Sequence, residues 1–406
     1  MTDQQIRFVA QLGAAMNAAN YPVTLVRRML ERATSAYGLR NDFVVFPNHV
    51  QVVGESAEAG TVVQTAQQTR DVRFDQTFAL ARLVSDAMAG RVSSTDGQAR
   101  LDRIVASARP YPAWVTVIGY GVQSAGLALV LEPTPLNVLA AGLLGLLVGL
   151  FLTAAQRITA LADLVPAVSA FAVAAICIVG VHHLDIDHVG LRALIPPLAV
   201  FLPGAAITLA VIELTARDTI SGASRLIAGF IQIAQLAFGI LIAAQLVGVG
   251  ATELSSEPIN KIGPWAPWLG VAVYAAGVMF FLAPPLSFLP WLLAITYTAY
   301  SAQFLGDLAL GSYASGFCGG VALALAALVM TRWRGAPPAI TMILPGFWLL
   351  VPGSMGLIGV TELFGAEGDS ALPATIISMV SVALGLQAGL IIWQLGRRGR
   401  ARRRAG

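Results

Sequence analysis

Apolar residues follow two different patterns along the chain, and the change between them separates a polar first part from a long apolar second part. Four segments have the three-to-four-residue apolar spacing of amphipathic helices: residues 4–18, 22–38, 74–89 and 95–108. Three short apolar runs with the character of strands lie among them: residues 43–46, 50–53 and 61–64. The pattern therefore predicts a small α+β domain over residues 1–112.

Ten apolar stretches follow, each close to the roughly 20 residues that a membrane-spanning helix needs. They cover residues 114–131, 136–154, 161–181, 193–214, 225–249, 265–283, 286–304, 310–331, 339–361 and 371–395. Composition agrees, because the chain of 406 residues is 56% hydrophobic and only 12% charged. A soluble domain is about 45–50% apolar and about 25% charged. The sequence thus predicts a polytopic all-α membrane protein and excludes an ordinary soluble enzyme.

Basic residues between the predicted spans fall almost entirely on one side, which predicts the orientation of the protein in the membrane. With residues 1–112 in the cytoplasm, eleven basic residues are cytoplasmic: Arg157, Arg217, Arg225, Arg332, Arg334 and the six arginines of the tail 397–406. Only Arg192 and Lys261 are outside. Both termini are therefore predicted to be cytoplasmic. The single lysine beside 24 arginines suggests a GC-rich bacterial genome, and hence a bacterial inner membrane.

The apolar part also repeats itself. Pro203-Gly204 is followed after eight residues by Glu213-Leu214, and 149 residues later Pro352-Gly353 is followed in the same way by Glu362-Leu363. At an offset of 151, three positions recur in pairs: Trp114 and Trp265, Gly119 and Gly270, Gly126 and Gly277. The two units, residues 113–250 and 264–396, would hold five helices each. Because five is an odd number of helices, the second unit would enter the membrane from the opposite side. The sequence therefore predicts a 5+5 inverted repeat, which is typical of secondary transporters.

The two Pro-Gly pairs fall near the middle of predicted spans 4 and 9. Proline removes a backbone donor, and the groups that it frees must face protein or a wet cavity in the membrane. Paired interruptions of this kind indicate the substrate site of a transporter, although a kink used only for packing is the alternative. The predicted substrate-binding residues are Pro203, Gly204, Thr208, Pro352, Gly353 and Ser354.

Carboxylates near the ends of the same spans are candidates for proton coupling. An ionisable residue within a membrane helix is a functional hypothesis by default, which points to Glu213 and Glu362. The alternative is that both reach water at a helix end. Asp218, in the turn that follows, is a third candidate, or else only a helix cap.

Motifs for other chemistry are weak or missing. We find no phosphate loop, no metal-binding helix motif and no serine elbow, so no enzyme and no cofactor is predicted. The stretch His182–His188 has the residue types of a metal site, but its spacing matches no structural zinc pattern, and a solvated loop is the better interpretation. Cys177 and Cys318 lie in apolar runs, where packing is their usual role.

The chain resembles the threonine/serine exporter family. The likeness is carried by Tyr37-Gly38-Leu39, Phe46-Pro47, Gly90–Ser93, Leu101–Ile104 leading to Trp114, Phe201–Gly204, and the turn from Asp218 through Ser221, Gly222 and Arg225. The family more often has glycine where this chain has Arg217. The resemblance points to the turn Ser221, Gly222 and Arg225 as a motif of the site.

This resemblance implies a ten-helix exporter of small hydroxylated amino acids, driven by the proton motive force, with a cytoplasmic N-terminal domain. The implied partners are an amino-acid substrate, protons and the lipid bilayer. The basic tail contributes much of the net charge of +3, so this charge does not indicate nucleic acid. The resemblance extends to relatives that move dicarboxylates, so a dicarboxylate exporter of the same fold is an alternative. The sequence also leaves open a channel, and a sensor with a regulatory cytoplasmic domain.

Overall fold

The computed structural model describes residues 3–38, 42–56, 60–67, 72–131, 133–156, 158, 163–184, 191–248, 261–350 and 380–396. The described chain is mostly helical, with one three-stranded sheet. It divides into two compact units. The first consists of Met1–Pro110 together with Leu209–Arg225, and the second of Tyr111–Thr208 together with Leu226–Gly406. The predicted division at residue 112 stays a prediction.

The first unit contains the helices and strands that the apolar spacing predicts. Its elements are α1 (Asp3–Ala18), α2 (Val23–Ala36), β1 (Asp42–Val45), β2 (Val50–Ser56), β3 (Gly60–Ala66), α3 (Phe74–Met88) and α4 (Ser94–Ala106). Local chemistry sets several of the ends. Helix α2 begins directly after Pro22, and Gly38, with φ +71°, follows its end. The Ser93 hydroxyl caps α4 by accepting the Asp96 N–H at 3.0 Å.

The sheet is antiparallel in the order β1-β2-β3, and α1 contacts β2 and β3. Valines form much of the inward face, with Val45 opposite Val50 in the register and both buried. Close packing with α1 depends on Gly13, where a β-carbon would come within 2.9 Å of Leu30 and 3.1 Å of Val50. The core is completed by fully buried side chains of the helices: Phe8, Leu12, Met16, Leu30 and Leu80.

Eleven further helices follow in the described chain. They are α5 (Ala113–Leu131), α6 (Pro135–Ala155), α7 (Val165–Leu184), α8 (Leu191–Leu198), α9 (Gly204–Thr215), α10 (Thr219–Val247), α11 (Ala266–Phe281), α12 (Leu289–Leu310), α13 (Ser312–Met330), α14 (Ala339–Leu349) and α15 (Val380–Gly396). Helices α9 and α10 contribute residues to both units. Each of the ten predicted stretches contains helix, although the second part of the ninth and the beginning of the tenth lie outside the described residues.

Length and apolarity show which of these helices can cross a bilayer. In the described part of the chain α5, α6 and α10 are long and apolar enough by themselves, and α8 with α9 makes a fourth if the bent pair is one span. Shorter apolar helical stretches of 10–17 residues lie within α7, α11, α13, α14 and α15. Large apolar side chains of α6, such as Leu139, Leu143 and Leu150, are more than half exposed, as on a surface that faces lipid. The protein is a helical membrane protein; ten spans and the 5+5 repeat stay predictions.

Glycines at equivalent positions of the predicted repeat allow α5 and α11 to come into close contact. A β-carbon at Gly126 would overlap the backbone of Tyr274, and one at Gly277 would overlap the backbone of Gln123. Each helix therefore presents a glycine where the backbone of the other helix passes. Small residues at such crossings are typical of helix packing in membranes.

Candidate functional site

The predicted interruption at Pro203-Gly204 is present. Helix α8 carries Pro196 and Pro197 and is followed by a 3-10 turn, Ala199–Phe201, before α9 begins at Gly204. The two parts, Leu194–Phe201 and Gly204–Thr215, are bent by 52°. Consecutive prolines deprive the helix of backbone donors, and Pro203 ends the turn. The second predicted interruption, with Pro352, Gly353, Ser354 and Glu362, lies outside the described residues.

A buried tyrosine satisfies the backbone that this interruption leaves free. The Tyr120 hydroxyl donates to the Pro197 carbonyl at 2.8 Å and accepts from the Val200 N–H at 3.2 Å. Tyr120 is fully buried on α5. One hydroxyl thus bonds both a freed carbonyl and a freed N–H, as a broken helix in a membrane requires.

A second tyrosine bonds the backbone of α14. The fully buried Tyr274 of α11 donates to the carbonyl of Pro345, the proline inside α14, at 2.9 Å. Pro345 follows Pro196 by 149 residues, the offset of the two Pro-Gly pairs. The predicted site did not include Tyr120 or Tyr274. The signal that could have found them was a tyrosine in the first helix of each predicted repeat unit, combined with prolines in the fourth.

Thr208, one helical turn after the interruption, is buried, and its hydroxyl is without a hydrogen-bond partner in the described structure. Helix α10 approaches this turn through Gly229, where a β-carbon would come within 2.8 Å of Ile207 and 3.5 Å of Pro203. The Pro203 carbonyl accepts the Ile207 N–H at 2.9 Å, which starts the regular hydrogen bonding of α9. The predicted residues Pro203, Gly204 and Thr208 therefore share one short segment.

Glu213 lies in the first unit and is completely buried, with 0% of its surface exposed. Its Oε1 accepts the backbone N–H of Val23 at 3.2 Å, and its Oε2 accepts from Nε of Arg225 at 3.1 Å. The alternative that this carboxylate reaches water at the helix end is wrong, because protein groups surround it. Arg225, which the sequence linked only to orientation and the family motif, is its ion-pair partner.

Asp218 takes part in a second, more exposed ion pair of the same unit. It accepts from the Arg27 guanidinium at 3.3 Å, and the side chains are 18% and 40% exposed. The preceding Arg217 has φ +67°, the left-handed region that glycine adopts most easily. This conformation gives the physical reason why glycine suits this position.

The motif residues Ser221 and Gly222 support the close approach of α10 to α9. Ser221 is buried, and its carbonyl accepts the Ser224 hydroxyl at 2.8 Å. A β-carbon at Gly222 would come within 2.6 Å of the Leu214 side chain and 2.9 Å of the Ala210 carbonyl. Glycine is therefore required for packing at this turn.

The structure thus groups five of the predicted residues in one segment of the first unit: Glu213, Asp218, Ser221, Gly222 and Arg225. It adds two contacts from α2 that the sequence pattern did not predict, the N–H of Val23 and the side chain of Arg27. Two residues before Val23, burial raises the pKa of Tyr21 to about 12. No sequence signal linked α2 to residues about 190 positions later.

No group of three or more potential metal ligands occurs among the described residues. The metal-like stretch His182–His188 is not covered by this statement, because residues 185–190 lie outside the described part of the chain. The same holds for the basic tail 397–406.

Apolar helices with an interrupted helix pair, whose freed backbone is bonded inside the protein, are typical of membrane transporters. A family model, ThrE, described as "Putative threonine/serine exporter", matches residues 7–247, more than half of the chain. The chain belongs to this family of membrane transporters.

The curated relatives that the chain matches have a name that does not mention threonine or serine export. The chain is 22% identical over 428 residues to pheromone-regulated membrane protein 10 of Candida glabrata, covering 95% of this chain and 52% of that protein. Two proteins of that name from Saccharomyces cerevisiae also match. One is 23% identical, and the match covers 95% of this chain and 53% of that protein. The other is 24% identical, and the match covers 83% of this chain and 94% of that protein. The chain spans about half the length of the first curated relatives that it matches. No solved structure matches it.

Proposed function

We propose that the protein is a secondary active exporter of small hydroxylated amino acids, threonine and serine, driven by the proton gradient. We place it in a bacterial inner membrane with both termini in the cytoplasm. The observation that carries the proposal is the interrupted helix pair α8 and α9 in a member of the exporter family. An interrupted helix in a membrane protein supports substrate binding, because its backbone groups are available to a ligand when their internal bonds rearrange.

We propose that Glu213 couples this movement to protons. Its carboxylate is buried on α9, twelve residues before its partner Arg225, and α9 begins at the interruption. A proton on Glu213 would remove the charge that binds Arg225, so that α9 and the turn to α10 could separate. Glu362 would have the corresponding role in the second repeat unit.

Transport in liposomes with an imposed pH gradient tests the proposal. Labelled threonine, serine and succinate are offered in parallel to the purified full chain. We expect gradient-dependent accumulation of threonine and serine. Accumulation of succinate alone would contradict the amino-acid substrate and support the dicarboxylate alternative. Passive equilibration of all three would contradict coupling and support a channel.

The substitution Glu213→Gln tests proton coupling separately. Glutamine keeps the shape and an acceptor for the Val23 N–H, but cannot carry the charge. We expect uphill export to fall to the background of empty liposomes, while the protein still folds. The matched control is Asp307→Asn, which neutralises an exposed carboxylate of α12 and should leave export unchanged. Undiminished uphill export by Glu213→Gln would contradict the proposal.

A regulatory role of residues 1–110 is the second candidate function. It is favoured by the two contacts of α2 with the segment Leu209–Arg225, through the Val23 N–H and the Arg27 guanidinium. A ligand that moves α2 would disturb both contacts. Reversing the Arg27–Asp218 pair by exchanging the two residues should then preserve the transport rate, whereas Arg27→Glu alone should change it.

A further inference from the structure

A narrow cleft lies in the second unit among α5, the 3-10 turn Ala199–Phe201, α11 and α14. The residues that line it include Gln123, Leu127, Val200, Tyr274, Phe281 and Trp348. It has room for about one water molecule. The turn at its edge belongs to the interrupted span, and the Val200 N–H there is bonded to the Tyr120 hydroxyl.

Gln123 provides a buried polar atom that needs a donor. Its side chain is 4% exposed, and its Oε1 is without a hydrogen-bond partner in the described structure. A buried amide oxygen without a donor is destabilising, and such atoms in native proteins call for an explanation. A ligand that brings an N–H or O–H into the cleft would supply the missing donor.

The two predicted repeat units contribute equivalent positions to this cleft. Gln123 and Tyr274 are separated by 151 residues, the offset of the paired glycines on the same helices. Ala199 and Trp348, which also both line the cleft, are separated by 149, the offset of the Pro-Gly pairs. In transporters with inverted repeats the substrate lies at the interface of the repeats. With the predicted repeat, such a site would lie between the equivalent positions that line this cleft.

The residues that line the cleft favour a ligand without net charge. Among the described residues that line the cleft, all are uncharged, and most are apolar. A dianion would be buried there without a countercharge, which is costly in a membrane protein. A zwitterion has no net charge, and its ammonium is attracted to aromatic rings such as those of Phe281 and Trp348.

We propose that this cleft is the closed form of the substrate site. In it, Gln123 Oε1 accepts a hydrogen bond from the hydroxyl or ammonium of a small amino acid without net charge. This proposal rests on the proposed export function and names the residue that recognises the substrate.

Binding of threonine to the purified full chain in detergent, measured by calorimetry, tests it. Gln123→Leu keeps the side-chain size but removes the acceptor, and we expect about tenfold weaker binding, the scale of one hydrogen bond to a ligand. The matched control, Gln245→Leu, changes an exposed glutamine of α10 and should leave the affinity unchanged. Equal affinities of the wild type and Gln123→Leu would overturn the proposal.

Flux in liposomes separates this proposal from the export function. A protein that exports threonine, but whose affinity does not depend on Gln123, would contradict the cleft and leave export standing. A protein whose threonine binding depends on Gln123, but which accumulates none under a pH gradient, would contradict export and leave the cleft standing. Absence of both binding and flux in the wild type would overturn both.

A second measurement keeps Gln123 and so does not depend on the folding of that variant. Ala199→Cys is introduced after Cys177 and Cys318 have been replaced by alanine, and alkylation of the new thiol is followed over time. We expect threonine to slow the alkylation and succinate to leave it unchanged. No effect of threonine would overturn the site, and equal slowing by succinate would overturn the assignment of a ligand without net charge.

Discussion

The two compact units satisfy their buried polar groups in different ways. In the first unit a buried carboxylate, Glu213, is paired with Arg225 and a backbone N–H. In the second unit neutral tyrosine hydroxyl groups bond backbone carbonyls, as between Tyr120 and Pro197 and between Tyr274 and Pro345. An ion pair needs strong compensation when it is buried, whereas a neutral hydrogen bond does not leave a charge behind if it opens. The interruption after Pro197 and the helix around Pro345 are therefore bonded without charge.

The largest effect is expected from breaking the ion pair of the first unit. Arg225→Leu leaves the fully buried Glu213 carboxylate without its cation, and we expect a loss of about 3–5 kcal/mol of stability. Thermal unfolding in detergent measures it. The double variant Glu213→Leu with Arg225→Leu removes both charges and should recover most of the loss. An Arg225→Leu protein as stable as the wild type would contradict the expectation that the first unit depends on a buried ion pair.

A smaller effect is expected from the helix crossing of the second unit. Gly277→Ala places a methyl group into the backbone of Gln123, so α5 and α11 must separate at a cost of about 1–3 kcal/mol. The control is Gly180→Ala, because a β-carbon at Gly180 meets nothing within 4 Å. The same unfolding measurement applies. Equal stabilities of the two variants would show that the crossing is not tightly packed.

The neutral hydrogen bonds should matter less than the ion pair. Tyr120→Phe removes a hydroxyl that makes two bonds to the interrupted backbone, and we expect a loss of about 1–2 kcal/mol. Tyr274→Phe removes its bond to Pro345 and should cost about 1 kcal/mol. Hydrogen exchange of the Val200 amide should rise only in the Tyr120 variant. A larger loss of stability for Tyr274→Phe than for Tyr120→Phe would contradict the expectation that the number of hydrogen bonds removed sets the size of the effect.

The smallest effect is expected at the exposed pair of the first unit. Arg27→Ala removes the contact with Asp218, and we expect a loss of at most about 1 kcal/mol because Arg27 is 40% exposed. Concentrated salt should therefore destabilise the wild type more than the variant, because only the wild type has this pair to screen. A loss as large as that of Arg225→Leu would mean that both pairs form a single coupled network.

Much of the local structure could be predicted from the sequence. The apolar spacing predicted α1 to α4 and the three strands, and hydropathy predicted stretches that all contain helix. Pro203-Gly204 predicted the interruption between α8 and α9, because proline acts on its own backbone and needs no distant partner. The candidate site was predicted less completely, since the predicted site residues did not include Tyr120, Tyr274, Val23 or Arg27.

By itself, the sequence determined that this chain is a helical membrane protein, where its helices lie and that the helix is interrupted at Pro203-Gly204. These properties depend on neighbouring residues and on length, which are visible in a linear pattern. Only the tertiary structure decided the partners: Arg225 and the Val23 N–H for Glu213, Pro197 for Tyr120 and Pro345 for Tyr274. Such pairs join groups 12 to 190 positions apart, and folding selects them by burial and geometry, which no spacing along the chain records.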